Sequence, residues 1–216
     1  MKATGIATAV NIYGQTEQSG LSSTERLGGQ IRPHSLGRPL EQIGQWRLTE
    51  PGSDLVLGSR TDEVGELQVR GDAVTPGYWQ LPEMNAAKFV DGWFRTGDLV
   101  RIDGNGVAHY VERLDDMIIC GGENIYPQII ESHLASSPDV AEVAVIGTAH
   151  ERWIQQVTAI IVPQTPDVTV DAIRTYCAGC AELQDLQNPR RIELVDSLPR
   201  TGSNKVDRPT LRQRFT

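Results

Sequence analysis

Four segments carry side chains with chemical potential. "NIYGQTE" (11–17) sets Tyr13 and Gly14 ahead of a hydroxyl and a carboxylate, Thr16 and Glu17. "WFRTGDL" (93–99) places a hydroxyl, Thr96, and a carboxylate, Asp98, on either side of a glycine. "ERLDDMIICGGENIYPQIIE" (112–131) joins Arg113 and Asp115 to the pair Gly121–Gly122 and then to a helix-like run. "LPRTGSNK" (198–205) ends on Lys205, a lone cation on a small polar loop. Carboxylates accept hydrogen bonds from hydroxyl groups and bind hard cations, and a lysine offers a positive charge to anions. The lysine loop is not a Walker A phosphate cradle, which needs a second glycine and a hydroxyl after the lysine; Val206 follows instead. Read alone, each segment also has a bland account, and for Lys205 it is a solvated residue opening a last helix.

Composition narrows the setting. The 216 residues allow one large domain or two small ones. No run approaches the roughly 20 apolar residues of a membrane helix, and "MKATGIATAV" makes a poor signal peptide because "NIYGQTE" follows it. A cytoplasmic protein with no membrane partner is expected. A formal charge of -8 argues against generic nucleic-acid binding. Residues 188–216 run the other way, with seven basic residues (Arg190, Arg191, Arg200, Lys205, Arg208, Arg212, Arg214) against three acids. A helix C-terminus explains Arg212 and Arg214; a site for an anionic small molecule explains more of the cluster. On charge alone the two stand level. Cys177 and Cys180 have zinc or redox spacing, but no second pair completes a site, so they read as helix packing.

The elements that must position these residues are also legible. "GELQVRG" (65–71) alternates as a half-buried strand, and "GVAHYVERL" (106–114) is a second strand after the hairpin turn "DGNG". Beyond Asp115–Asp116 the texture changes. "MIIC" reads as a short strand, "GGENIYP" as a glycine-rich loop, and "QIIESHLASS" as a helix with 129, 130 and 134 on one face. "AEVAVIG" (141–147), "QVTAIIVP" (156–163) and "RIELVD" (191–196) are β-like. Residues 169–183 and 206–215 are helical, the first with Ile173, Tyr176, Cys177 and Cys180 on one stripe. The pattern predicts a mixed α/β (α+β) chain with a β-rich part over 1–114 and a small α/β domain over 115–216.

In order and spacing, the four segments resemble the C-terminal half of the adenylate-forming superfamily, which includes acyl- and aryl-CoA synthetases and peptide-synthetase adenylation domains. The resemblance is strongest to the aryl-CoA ligases of the 4-chlorobenzoate:CoA ligase type. It implies a two-step reaction: a carboxylate attacks the α-phosphate of ATP to give an acyl-adenylate and pyrophosphate, then the thiol of coenzyme A displaces AMP. It places Tyr13 and Gly14 at the adenine, Thr16 at a phosphate, and Glu17 on Mg2+. Asp98 and Arg113 fall at the ribose hydroxyls. Lys205 falls where the family's catalytic lysine stabilises charge between acid and nucleotide. Asp115 matches a hinge about which the small domain turns for the second step. Gly121, Gly122, Trp153 and Arg190 match contacts to coenzyme A, glycines allowing close approach of ligand to backbone. A small carboxylic acid is the remaining substrate, with Gln18 to Leu21 the segment near it.

Four positions depart from the family pattern: Gln15 stands for Pro, Ser or Thr, Glu112 for a frequent glycine, Asn188 for a basic residue and Leu186 for an aromatic. The family's phosphate loop lies upstream of Asn11, so residues 1–114 match only the β-rich end of the large N-terminal domain. The reading is a truncated or split C-terminal part of an acid:CoA ligase, completed by an N-terminal partner chain or by self-association, because unpartnered strands leave open edges. A non-catalytic remnant or binding module, or a peptide-synthetase-type adenylation module, is the alternative.

Overall fold

Alternating apolar residues build two sheets, one in each of two units, Met1–Leu114 and Asp115–Thr216. The computed structural model describes residues 10–25, 32–40, 42–58, 62–180, 183 and 185–215.

In the first unit the strands are β1 (Ile12–Tyr13), β2 (Ser23–Thr24), β3 (Ser35–Pro39), β4 (Gln45–Thr49), β5 (Val64–Arg70), β6 (Phe89–Val90), β7 (Trp93–Ile102) and β8 (Ala108–Arg113). They form one sheet in the order β1-β2-β3-β8-β7-β5-β4, with β6 also on β7, and every pairing is antiparallel. A short helix, α1 (Pro82–Lys88), starts at a proline suited to its first turn. The core gathers Leu36, Leu67, Val69, Val100 and Ala108, with Tyr13 and Trp46 against it. The turn at 103–106 joins β7 to β8 as its Asp-Gly and Asn-Gly pairs predict. Strand β5 departs from the half-buried expectation, because Gly65 to Val69 are all buried. It lies between β4 and β7, and its polar residues are paired inside: Gln68 accepts from Arg47 and donates to Thr49 at 3.1 Å.

The second unit holds β9 (Ile118–Cys120), β10 (Glu123–Ile125), α2 (Pro127–Leu134), β11 (Val140–His150), β12 (Ile154–Pro163), α3 (Val170–Ala178), β13 (Arg191–Leu194) and α4 (Arg208–Phe215). β11 and β12 form a long antiparallel hairpin, and β13 lies parallel to β12. Alternation along the hairpin feeds two cores. Val145, Val157, Ala159 and Ile161 pack with Ile130, Leu134, Ile173 and Cys177 from α2 and α3. Ala144, Ile146 and Ile160 pack with Leu211 and Phe215 from α4.

Three local expectations are corrected. "GGENIYP" is not a loop: Gly121–Gly122 form a two-residue turn between β9 and β10, with Cys120 opposite Glu123. Ile129 is exposed rather than on the buried face of α2, which Pro127, Ile130 and Leu134 form. Helix α3 stops at Ala178, with Gly179 as its cap, well short of residue 183. Its predicted stripe holds, with Ile173 and Cys177 buried and Tyr176 and Cys180 against the same core. Among the described residues no helix is long and apolar enough to cross a membrane.

Candidate functional site

In the first unit, strand register brings Asp98 and Arg113 together. They are Cα partners across β7 and β8, and Arg113 Nη1 donates to Asp98 Oδ1 at 2.6 Å. The guanidinium crosses Gly97, where any side chain would collide: a Cβ would lie 2.8 Å from Arg113 Nη2, and the backbone is left-handed at φ 71°. Thr96 fixes the same turn. Its Oγ1 accepts the Asp98 amide at 3.0 Å, a local bond typical of Ser and Thr, and its carbonyl accepts from Arg113 at 3.0 Å.

The segment after β1 reaches the same carboxylate. Tyr13 donates its hydroxyl to Asp98 Oδ2 at 2.7 Å and Gln15 Nε2 donates to it at 2.6 Å. Burial, reinforced by the Asp98 charge, pushes the Tyr13 phenol far above its ordinary range, so it remains a donor at neutral pH. The loop closes on itself, because Ser22 N donates to Tyr13 O and Gly20 N to Gln15 O. A Cβ on Gly14 would sit 2.1 Å from the Gly20 carbonyl oxygen, so only glycine fits there. Thr16 and Glu17 occupy a short 3-10 turn. Thr16 is exposed. Glu17 Oε1 accepts the Tyr78 hydroxyl at 2.8 Å; burial, then the hydrogen bond to Glu17 and its charge, push the Tyr78 phenol up to about 12. Gln18 is wholly buried, and among the described residues neither atom of its amide makes a hydrogen bond of good geometry. The loop therefore presents one carboxylate with a free edge beside a buried carboxylate ringed by donors.

No cluster of three metal-ligating side chains occurs among the described residues. Mg2+ that travels with a nucleotide needs only one or two protein carboxylates, the phosphates and water supplying the rest. Glu17, with Oε1 held by Tyr78, meets that requirement.

The second unit gathers the other predicted residues into two places. Gly121 and Gly122 both have positive φ, 61° and 88°, as a two-residue hairpin turn requires. Gly121 N donates to Trp153 O at 3.0 Å, and a Cβ on Gly121 would press on the Trp153 ring at 3.0 Å. The Arg190 guanidinium lies 5.2 Å from that ring and Arg152 lies 4.7 Å from it, both in cation–π range. Among the described residues nothing stands within 4 Å of the Gly122 Cβ direction. Lys205 sits in a tight loop in which Thr201 N donates to Lys205 O at 2.8 Å and Asn204 N to Thr201 O at 2.9 Å. Its side chain is exposed and has no ion-pair partner among the described residues. Asp115 is exposed, in a 3-10 turn over Leu114–Asp116, and its carbonyl accepts from Arg212 at 3.1 Å.

The basic surplus of residues 188–216 does not assemble as one anion site. Arg191 pairs with Glu193, Arg200 with Glu142, Arg208 with Glu131 and Asp116, and Arg212 with Asp116. Arg212 and Arg214 also occupy the last turn of α4, where cations suit the helix dipole.

Three contributors stand outside the residues expected from sequence. Tyr78 lies 61 residues from the carboxylate it holds, so no local signal marks it. Thr96 is marked by its place two residues before Asp98. Gln15 stands in the first segment as a departure, yet its side chain is aimed at the centre of the site.

Residues 129–205 match the family model of the AMP-binding enzyme C-terminal domain. A feruloyl-CoA synthase of Amycolatopsis is 42% identical over 209 residues, which are 94% of this chain and 40% of that protein. An indoleacetate–CoA ligase of Aromatoleum aromaticum is 38% identical over 205 residues, 94% of this chain and 39% of that protein. The ATP-bound structure of MatB from Rhodopseudomonas palustris superposes with a TM-score of 0.86 at 33% identity, covering 98% of this chain and 41% of that one. The chain thus spans about two fifths of the length of these relatives.

Proposed function

The chain belongs to the adenylate-forming superfamily, and from that premise we propose that it is the C-terminal portion of an ATP-dependent carboxylic acid:CoA ligase. Residues 1–114 are the β-rich end of its nucleotide-binding domain and 115–216 its small C-terminal domain. The observation that carries this reading is the convergence of Tyr13, Gln15 and Arg113 on the buried carboxylate of Asp98, beside the loop that bears Thr16 and Glu17. A buried carboxylate fixed by register is suited to two neighbouring hydroxyls, as in a ribose. Tyr13 and Gly14 line the base and Thr16 a phosphate, while Glu17 holds the Mg2+ that screens the triphosphate.

In the first step the acid's oxygen bonds to the α-phosphorus and the bond to pyrophosphate breaks. Lys205, exposed and without an ion-pair partner among the described residues, supplies positive charge to the oxygens that become more negative there. In the second step the thiol sulfur bonds to the acyl carbon and AMP leaves. Gly121, Gly122, Trp153 and Arg190 then form the approach for coenzyme A, with Asp115 as the hinge position between the two steps. Among the described residues strand β1 ends its sheet, with Ile12 65% exposed; this supports covering of that edge by other polypeptide of the same protein or of a partner chain. The test is acid-dependent pyrophosphate release by the full-length protein across a panel of aryl and aliphatic acids, followed by thioester formation on adding coenzyme A. Pyrophosphate release that needs no acid, or product that forms without ATP, overturns the reading.

A further inference from the structure

Asp98 is 4% exposed, and what covers it includes its own hydrogen-bond donors. Oδ2 accepts from both the Tyr13 hydroxyl and Gln15 Nε2, whereas Oδ1 accepts from Arg113 Nη1. An ionised carboxylate offers about four lone-pair sites, two on each oxygen. Oδ2 is therefore filled and Oδ1 has one site left. A vicinal diol bound side-on to a carboxylate gives one hydrogen to each oxygen. It cannot be seated until one donor leaves Oδ2.

We propose that Gln15 is that donor: a latch that holds Asp98 in the unliganded protein and is exchanged for a ribose hydroxyl when a nucleotide binds. This inference rests on the reading of Asp98 as the ribose-binding carboxylate.

Tyr13 is poorly placed to leave. Its ring packs edge-on against Trp46, with centroids 5.8 Å apart and planes at 83°. Turning its hydroxyl away would leave a buried O–H with its best acceptor lost. Gln15 differs on each count. It lies between β1 and the 3-10 turn, outside regular structure, and is only partly buried. Its backbone is anchored independently of its side chain, because Gln15 O accepts from Gln18 N and Gly20 N at 3.0 Å each. The amide can therefore turn to water without moving Thr16 or Glu17. Its second link, to Thr96 O, is the longer one at 3.2 Å. Arg113 need not move at all, since its bond lies on the oxygen with a site to spare.

The exchange makes an unusual prediction: removing a polar residue that points into the site strengthens binding. The experiment is calorimetric titration of the full-length protein with AMP and with 2′,3′-dideoxy-AMP, for the wild type and for Gln15→Met, which keeps length and loses the donor. The expected result is AMP binding by Gln15→Met tighter on the order of tenfold, the worth of one hydrogen bond to a charged group less its return to water, with dideoxy-AMP binding unchanged within about twofold. Gln15→Ala removes the same donor and must shift the two ligands in the same pattern. Weaker or equal AMP binding by both variants overturns the exchange while leaving the Asp98 reading intact. A wild type that binds the two nucleotides equally, or binds neither, overturns the Asp98 reading and the exchange with it.

Discussion

Arg208 stands three residues beyond Lys205 and fixes where the lysine loop ends. Its guanidinium meets the Glu131 carboxylate in two parallel bonds, Nη1 to Oε1 at 2.9 Å and Nη2 to Oε2 at 3.0 Å. It also donates to Val145 O at 3.0 Å, while Val145 N donates to Glu131 Oε1 at 2.7 Å. α2, β11 and α4 are thus tied chiefly through this charge pair, whose side chains are only 18% and 17% exposed; Asp116, 3.4 Å from Arg208 Nε, keeps Arg212 as a partner when Arg208 is removed. An exposed pair is worth at most about 1 kcal/mol. Removing one partner of a largely buried pair costs about 3–5 kcal/mol, because the other charge stays behind without compensation. Arg208→Met is therefore expected to lower unfolding stability by about 3 kcal/mol or more. Arg208→Met with Glu131→Gln should recover at least about 1 kcal/mol of that, because the stranded charge is gone while the acceptor for Val145 N remains. Urea unfolding at pH 7, followed by circular dichroism, measures both. A single-variant loss below about 1 kcal/mol, with no recovery in the double variant, refutes the reasoning and makes the pair a solvated one.

Three further outcomes are expected. Gln18→Leu should raise stability by about 1–2 kcal/mol in thermal or urea unfolding, since it removes a buried amide without good hydrogen bonds; a loss would mean that the amide is paired through water. Gly121→Ala should destabilise by about 1 kcal/mol or more, from a left-handed residue and a Cβ 3.0 Å from the Trp153 ring, and should shift the Trp153 fluorescence that Gly122→Ala, with open space before it, leaves in place. The turn after β7 should be acid-labile: hydrogen bonds from the Val107 amide, then from His109, hold the Asp103 carboxyl below its ordinary range, down to about 2. The folded value is the lower one, so the contribution is present above the unfolded value and is lost as pH falls from about 4 toward 2. Amide exchange at Asn105 and Val107, both of which donate to Asp103 Oδ1, should quicken across that window, and flat protection would count against it.

Elements with strong periodicity were legible in the sequence. β11, β12 and the buried stripe of α3 follow from alternation and from 3.6-residue spacing. The hairpin at Gly121–Gly122 was obscured because β10 is three residues long and opens with Glu123 and Asn124, too short and polar to register as a strand. The pairing of Asp98 with Arg113 follows from the register of β7 and β8, but motif order marked both residues before any register was known. Pairings that depend on distant strands were invisible: Tyr78 to Glu17 across 61 residues, Arg200 to Glu142 across 58, Arg208 to Glu131 across 77. A local charge count therefore showed a basic cluster where the folded unit holds Arg191, Arg200, Arg208 and Arg212 in ion pairs.

The central claim is that Lys205 serves adenylation and not thioester formation. Its most direct test compares Lys205→Ala with wild type in two assays of the full-length protein: acid-dependent exchange of pyrophosphate into ATP, and thioester formation from preformed acyl-adenylate and coenzyme A. The account predicts a loss of at least about a hundredfold in the first, the scale for removing one charge-stabilising group, and a change within about threefold in the second, where bonds change at the acyl carbon and none is made or broken at phosphorus. Equal losses in both assays, or full exchange activity without the lysine, would contradict it.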